Sequence, residues 1–183
     1  MKLGTKSLLF GIHNIVIHPI VVCIAWHRIF NKHPNWKELV CIIIHDWGYW
    51  GCATMDGDDG NLHPCWAAGV VRKWWGPRYW ELCLYHSRHI AHQDYVTPSK
   101  LCYADKLSFC IMPWWLYVML GLLTGEIYEY REQTERIGVT SVSLTWRQWF
   151  DEVSISMKKL SSDPYSAPLL HHNYKPGKRK FNK

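Results

Sequence analysis

At 183 residues, 48% of them apolar, the chain is long enough for one domain with a real core and too apolar to be disordered. The formal charge of +6 is concentrated at one end: residues 171–183 hold five Lys or Arg and no acid, which leaves the body at +1. That balance excludes a basic body specific for nucleic acid. Seven cysteines, at positions 23, 41, 52, 65, 83, 102 and 110, form no CxxC pair and mostly lie in apolar surroundings. They read as small buried hydrophobes in a reducing, cytoplasmic setting.

Lys2 and Lys6 precede an apolar stretch from Leu8 to Trp26 that superficially resembles a signal peptide or a membrane span. His13, Asn14, His18 and Pro19 interrupt it and no small-x-small cleavage site follows, so neither is expected. Residues 5–17 read as a short helix or lead-in. Pro19 suits a first helical turn, and Ile20, Val21, Ile24, Trp26, His27 and Phe30 give helical periodicity to about Asn31. After a turn at Pro34, Trp36 to Asp46 reads as a second helix, followed by a Gly- and Asp-rich loop over 51–62. His63-Pro64 opens a third helix that Gly76-Pro77 breaks, and Tyr79 to His89 reads as a fourth. Pro98 starts the next, which carries Leu101, Ala104, Asp105, Leu107 and Ser108.

The apolar run Phe109 to Leu123 is short for a span and contains Met112-Pro113, so a core helix that kinks or restarts at Pro113 is expected. Gly125 to Arg136 and Thr145 to Leu160 read as two more amphipathic helices, the second with Trp146, Trp149, Phe150, Val153 and Met157 on one face. With no internal repeat and no alternating strand, the expectation is one all-α domain over 1–160 with a flexible basic tail over 161–183.

His45-Asp46 ends the apolar run Leu39 to Ile44. Buried His or Asp costs several kcal/mol unless paired or metal-bound, and helical neighbours lie about 100° apart, so both cannot escape outward. A divalent cation satisfies imidazole and carboxylate together. His18, His63, His86 and Asp105 each lie in or beside a different helical segment and complete a set of metal-ligand residue types. His45 lies about ten residues, roughly 15 Å, beyond the turn at 32–35. His18 lies about 13 residues, roughly 20 Å, before it, and His27 only about four, roughly 6 Å. His18 is therefore preferred to His27 and His13 as the antiparallel neighbour of His45. Asp105 in an apolar helix face needs a partner. Lys106 is one, but adjacent helical residues do not face one another, which favours a metal.

The order His, His-Asp, His, His, Asp resembles the HD-domain superfamily of metal-dependent phosphohydrolases, over roughly residues 13–110. His45-Asp46-Trp47-Gly48 is similar to the signature His-Asp-x-Gly. His63-Pro64 with Ala67-Ala68-Gly69 resembles the helix that supplies a third histidine in dinuclear members, and Ala104-Asp105-Lys106-Leu107-Ser108 the closing aspartate segment. The resemblance implies an all-α HD-like bundle with two divalent transition-metal ions (Fe, Mn, Co, Ni or Zn) between helices. His18, His45, Asp46 and Asp105 would bind one, His63 and His86 the other, and Asp46 would bridge; His89 is an alternative to His86 or a substrate contact. The glutamate that follows the His-Asp pair in mononuclear nucleotidases has no counterpart in Trp47-Gly48-Tyr49-Trp50.

The implied activity is phosphohydrolysis of a small phosphorylated substrate, most simply a nucleotide. Asp46, Arg88 and Lys106 would be catalytic, Arg88 and Lys106 would also hold phosphate, and Trp47 and Tyr49 would stack a base. The same order also resembles the mixed-valent di-iron oxygenases of the superfamily, and a non-catalytic nucleotide-binding or regulatory module is the third alternative. Asp56-Gly57-Asp58-Asp59-Gly60 lacks the terminal Glu of a calcium loop and reads as a solvated turn, or as a lid or third acidic contributor. The Trp-rich helices beyond residue 110 are expected to wall the pocket and also suit a homodimer face.

Overall fold

The computed structural model describes residues 1–141 and 143–162; of the tail expected over 161–183, residues 161 and 162 belong to the last helix and the rest lies outside the described residues. The described residues are all-α, with ten α-helices and no strand. Helix α1 (Leu3–Phe10) leads through a turn into α2 (Ile17–Phe30), which stops at Asn31 in the left-handed conformation, φ 50°. Helix α3 (Trp36–Ile44) begins with a reciprocal cap. Asn35 Oδ1 accepts from the Lys37 and Glu38 amides at 3.0 Å each, while Glu38 Oε2 accepts from the Asn35 amide at 2.8 Å. After α3 the chain makes a 3₁₀ turn (Trp47–Tyr49), the loop, a second 3₁₀ turn (Gly60–Leu62) and α4 (Pro64–Trp75), with Pro64 in its first turn.

The helix expected over 79–89 is two. Helix α5 (Pro77–Leu84) ends before His86, and α6 (Arg88–Gln93) restarts with the Ser87 hydroxyl capping the Ile90 amide. The break spends Ser87 on a cap and frees His86 from a helix face. Helix α7 (Lys100–Ile111) is tied to the end of α5: the Ser99 amide donates to the Tyr85 carbonyl at 2.9 Å and its hydroxyl to that of Leu82 at 2.8 Å. Pro113 restarts the chain as α8 (Trp114–Thr124) at 102° to α7. Helices α9 (Glu126–Arg136) and α10 (Trp146–Ser162) complete the fold. No single helix among the described residues is long and apolar enough to cross a membrane; only α7 and α8 together have the length and composition, and they are sharply bent.

Four apolar clusters build the core of the described residues, the smallest being Leu8, Tyr49, Cys52 and Met55. Val22, Ala25 and Trp26 of α2 pack with Ile42 of α3 and with Leu101 and Ala104 of α7. Cys41 and Ile44 of α3 meet Ala67, Ala68 and Val71 of α4 and Cys83 of α5. Tyr117, Val118, Ile127, Trp149, Phe150 and Val153 join α8, α9 and α10, with the α10 face read from the sequence turned inward. Burying one such large apolar side chain contributes roughly 1.5–3 kcal/mol relative to leaving it exposed. The polar side chains where these clusters meet are thus held by rigid helices.

Candidate metal centre

Each ligand-type residue is delivered by a different piece of chain. His18 lies in the first turn of α2, His45 and Asp46 follow α3, His63 precedes α4, His86 occupies the α5–α6 break and Asp105 lies in α7. All but Asp105 are buried, and the Asp105 side chain is 14% exposed. Gly48 makes the approach possible: a Cβ there would stand 1.9 Å from the His63 carbonyl oxygen. This is a packing reason for the glycine of His-Asp-Trp-Gly.

The carboxylate of Asp46 stands between two groups. Its Oδ2 lies 3.2 Å from Nε2 of both His18 and His45, and its Oδ1 lies 3.4 Å from His63 Nε2 and 3.5 Å from His86 Nε2. On the first side Asp105 Oδ1 is 3.2 Å from His18 Nε2 and 4.0 Å from His45 Nε2. The nitrogens are also close to one another, 3.3 Å for His18 and His45 and 3.0 Å for His63 and His86.

The other ring nitrogens fix the tautomers. Nδ1 of His45, His63 and His86 each donates to the carbonyl three residues earlier, Ile42 at 2.7 Å, Gly60 at 2.7 Å and Cys83 at 2.5 Å. A carbonyl only accepts, so the hydrogen sits on Nδ1 and a neutral ring presents its Nε2 lone pair inward. His63 and His86 therefore aim lone pairs at each other and at Asp46 Oδ1, three acceptors with no proton between them. Asp46 Oδ2 is buried, with Nε2 of His18 and of His45 as its nearest partners. A cation among these donors resolves the conflict at His63 and His86. Donors bound about 2.0–2.2 Å from one ion stand roughly 3.0–3.5 Å apart, which matches this spacing, and an imidazole–carboxylate set without thiolate suits Fe, Mn, Co, Ni or Zn. Two overlapping groups of donors could each hold a metal ion, His18, His45 and Asp46 in one and Asp46, His63 and His86 in the other.

Protonation differs across the bridge. Burial disfavours the His18 imidazolium, but Asp105 and Asp46 more than offset it and push its pKa up to about 10. Burial dominates at His63 and brings it down to about 4, and it lowers His45 as well. Burial would raise Asp46, but His45, His18 and His63 hold it well below the usual carboxylate range. Burial is likewise outweighed at Asp105 by Lys106 and His18.

Lys106 Nζ donates to Asp105 Oδ2 at 3.0 Å, so the ion pair disfavoured on helical geometry is present. The lysine stem is long enough to fold back, and the two carboxylate oxygens divide, one to Lys106 and one to His18. Asp105 in turn raises the Lys106 pKa further. His18, Asp105 and Lys106 line a cavity of about 180 Å³, as do Tyr49 and Asp56. Phe109, Tyr117, Tyr130, Trp149 and Met157 line it too, so the helices beyond residue 110 form part of its wall. The ring of Tyr49 stacks on His63 at 3.8 Å and 16°.

Other expected contributors lie elsewhere. Trp47 is 39% exposed and stacks on Trp66, and His89 hydrogen-bonds Gln93 at 2.7 Å; neither lines the cavity. Arg88 is also absent from the lining: its Nη1 is buried without a hydrogen-bond acceptor, and its charge is felt at Cys102 of α7. His27 is exposed and stacks on His33 at 4.6 Å, leaving His18 as the α2 histidine of the centre. In the acidic loop Asp59 accepts from the Ala53 and Gly60 amides and the Thr54 hydroxyl, closing the loop on itself, while Asp56 turns toward the cavity.

The sequence reading passed over a second polar network. Glu126, fully buried at the start of α9, accepts from Ser7 Oγ at 2.5 Å, the Ile12 amide at 2.7 Å, Thr124 Oγ1 at 2.9 Å and Tyr130 Oη at 3.3 Å. His13 Nδ1 lies 3.3 Å from the same carboxylate, and the His13 ring stands 5.4 Å from that of His18. The available signal was an acid three residues after the apolar run that ends at Leu123, one helical turn before Tyr130. Comparison of the chain with protein-family models, with curated proteins and with solved structures finds no match.

Proposed function

We propose that the chain is an HD-type metal-dependent phosphohydrolase that cleaves a phosphate ester or anhydride, of a nucleotide or a related small molecule, at a dinuclear centre. The observation that carries the reading is Asp46, whose two oxygens each face a separate set of imidazole lone pairs. Two bound divalent cations would supply Lewis-acid chemistry, acidifying water at neutral pH and neutralising charge on phosphoryl oxygens.

The protein's own groups do the rest. His45, His63 and His86 hold fixed tautomers through their backbone carbonyls, so the site needs no rearrangement when it is filled. Lys106, 32% exposed and anchored to Asp105, places a permanent positive charge in the cavity lining, where a non-bridging phosphoryl oxygen enters. Phe109, Tyr117 and Trp149 offer flat apolar surface to the organic part of the substrate and exclude water from that side.

The test is to strip the protein with a chelator, reload it anaerobically with Mn²⁺, Fe²⁺, Co²⁺, Ni²⁺, Zn²⁺ or Mg²⁺, and follow phosphate release from nucleotides and phosphate esters. Release without oxygen, abolished in Asp46→Ala, is expected. Two bound irons with turnover only in oxygen would replace the reading with the di-iron oxygenase. Nucleotide binding without turnover would replace it with a regulatory module.

A further inference from the structure

Away from the buried histidines, α3 and α4 share an exposed apolar face. Trp36, Leu39, Ile43 and Trp47 recur at helical spacing along α3 and the turn after it, and all four are exposed. Trp66 and Trp74 of α4 are exposed as well. Ring contacts join the two sets. Trp47 stacks on Trp66 with centroids 6.0 Å apart, and Trp36 meets Trp75, which touches Trp74, edge to face at 5.1 Å. These contacts bridge the start of one helix to the end of the other, at both ends of the pair. The groove between the helices is thus filled by its own rings, which leaves no slot for the inserted anchors of a helical peptide.

The charges on this face are of one sign. Helices α3 and α4 hold three cations, Lys37, Arg72 and Lys73, against one acid, Glu38, whose carboxylate is used in the α3 cap. Lys73 is exposed and follows Trp66 by two turns, on the same side of α4. Lys37 Nζ stands 5.4 Å from the ring centroid of Trp36 and 5.8 Å from that of Trp75. A second copy related by a two-fold axis would set this cationic face on itself, whereas an anionic surface complements it. Tryptophan is the side chain enriched where water meets acyl chains, and Lys and Arg stems reach from that plane to headgroup phosphates. Helix α8 also exposes Trp115, Met119 and Leu123, but it carries no charged residue and so lacks this half of the match.

We propose that the α3–α4 face docks the protein on an anionic lipid bilayer, with Trp36, Trp66 and Trp74 seated at headgroup depth and Lys37, Arg72 and Lys73 on lipid phosphates. The association is peripheral, since helices of 9 and 12 residues are too short to span. It does not depend on the reaction proposed above.

The test sediments the full chain with phosphatidylcholine vesicles that contain about 30% phosphatidylserine or none. Binding is expected to be at least about tenfold tighter to the anionic vesicles. Phosphatidylcholine brominated on its acyl chains should quench part of the tryptophan emission. The combined Trp36→Ser, Trp66→Ser and Trp74→Ser variant should lose that quenching and most of the binding. Lys73→Glu, a single exposed change that leaves every ring in place, should weaken binding about tenfold. Circular dichroism should match wild type in both variants; if the triple variant loses helicity, Lys73→Glu decides alone. The basic segment over 171–183 also attracts anionic lipid but holds no tryptophan. Sedimentation without acyl-chain quenching, unchanged in both variants, would therefore assign binding to the tail and overturn the proposal. Quenching lost in Leu123→Ser but kept in the triple variant would move the contact to α8 and overturn it too. No binding to either vesicle, with a dimer that the triple variant dissociates, would give the face to a second copy instead.

Discussion

On one side of Asp46, two carboxylates and two imidazoles converge beside the cavity; on the other, two imidazoles share a single carboxylate oxygen under the ring of Tyr49. His18 on the first side has no backbone carbonyl among the described residues locking its tautomer, and it holds a proton up to about pH 10. His63 on the second is locked through Nδ1 and stays neutral down to about pH 4. The acid-rich half must therefore release a proton to take a cation, and the histidine half is ready to take one. The difference arises from neighbours alone, since the same residue types supply both halves.

The largest test removes what the halves share. Asp46→Ala should drop bound metal from two equivalents to none by mass spectrometry and cut phosphate release by about a thousandfold or more, with far-ultraviolet circular dichroism unchanged. Retention of one tightly held ion would show the halves to be independent of the bridge. Splitting them comes next: His18→Ala and His63→Ala should each retain about one equivalent.

Protons sharpen the contrast. The raised pKa of His18 means that its stabilising contribution in the metal-free protein is complete below its unfolded value of 6.5 and is lost as pH rises through about 10. At His63 the sign reverses: the unfolded chain takes up a proton first, so stability falls as pH drops from 6.5 toward about 4. Thermal melts of the metal-free protein should fall off on both sides of neutrality. His18→Gln should flatten the alkaline limb and His63→Gln the acid one. A flat alkaline limb in the unaltered protein would remove the proton from His18 and the asymmetry with it.

Two smaller effects follow. Lys106→Gln, touching only the acid-rich half, should raise KM about tenfold with two metals still bound, the loss expected of one charge-assisted contact. Tyr49→Leu, touching the histidine half through the stack on His63, should cost about 1 kcal/mol by denaturant titration.

Most of the buried His/Asp cluster was legible because a buried His or Asp in an apolar helix demands a partner, and the spacing around the turn at 32–35 selected His18 over His27. Helix boundaries marked by Pro64, Gly76 and Pro113 were legible for the same local reason. What escaped needed long-range geometry. Nothing local in Glu126 says that Ser7 and His13, more than a hundred residues earlier, donate to it or pack against it. Arg88 and His89 looked like neighbours of His86 on one helix, but the cap at Ser87 ends that continuity. The Asp105–Lys106 pair escaped because side-chain direction was read from Cβ positions, and a four-carbon stem does not obey them.

The carbonyl three residues before His45, His63 and His86 has a thermodynamic consequence. Three imidazoles lose their rotational freedom as the chain folds, through contacts made within one turn of their own chain. The entropy of assembling the centre is thus spent by the polypeptide before any ion arrives. A small zinc module uses ion capture to fold; this helical frame orders its candidate donors first, so an ion would meet a scaffold that already has its shape.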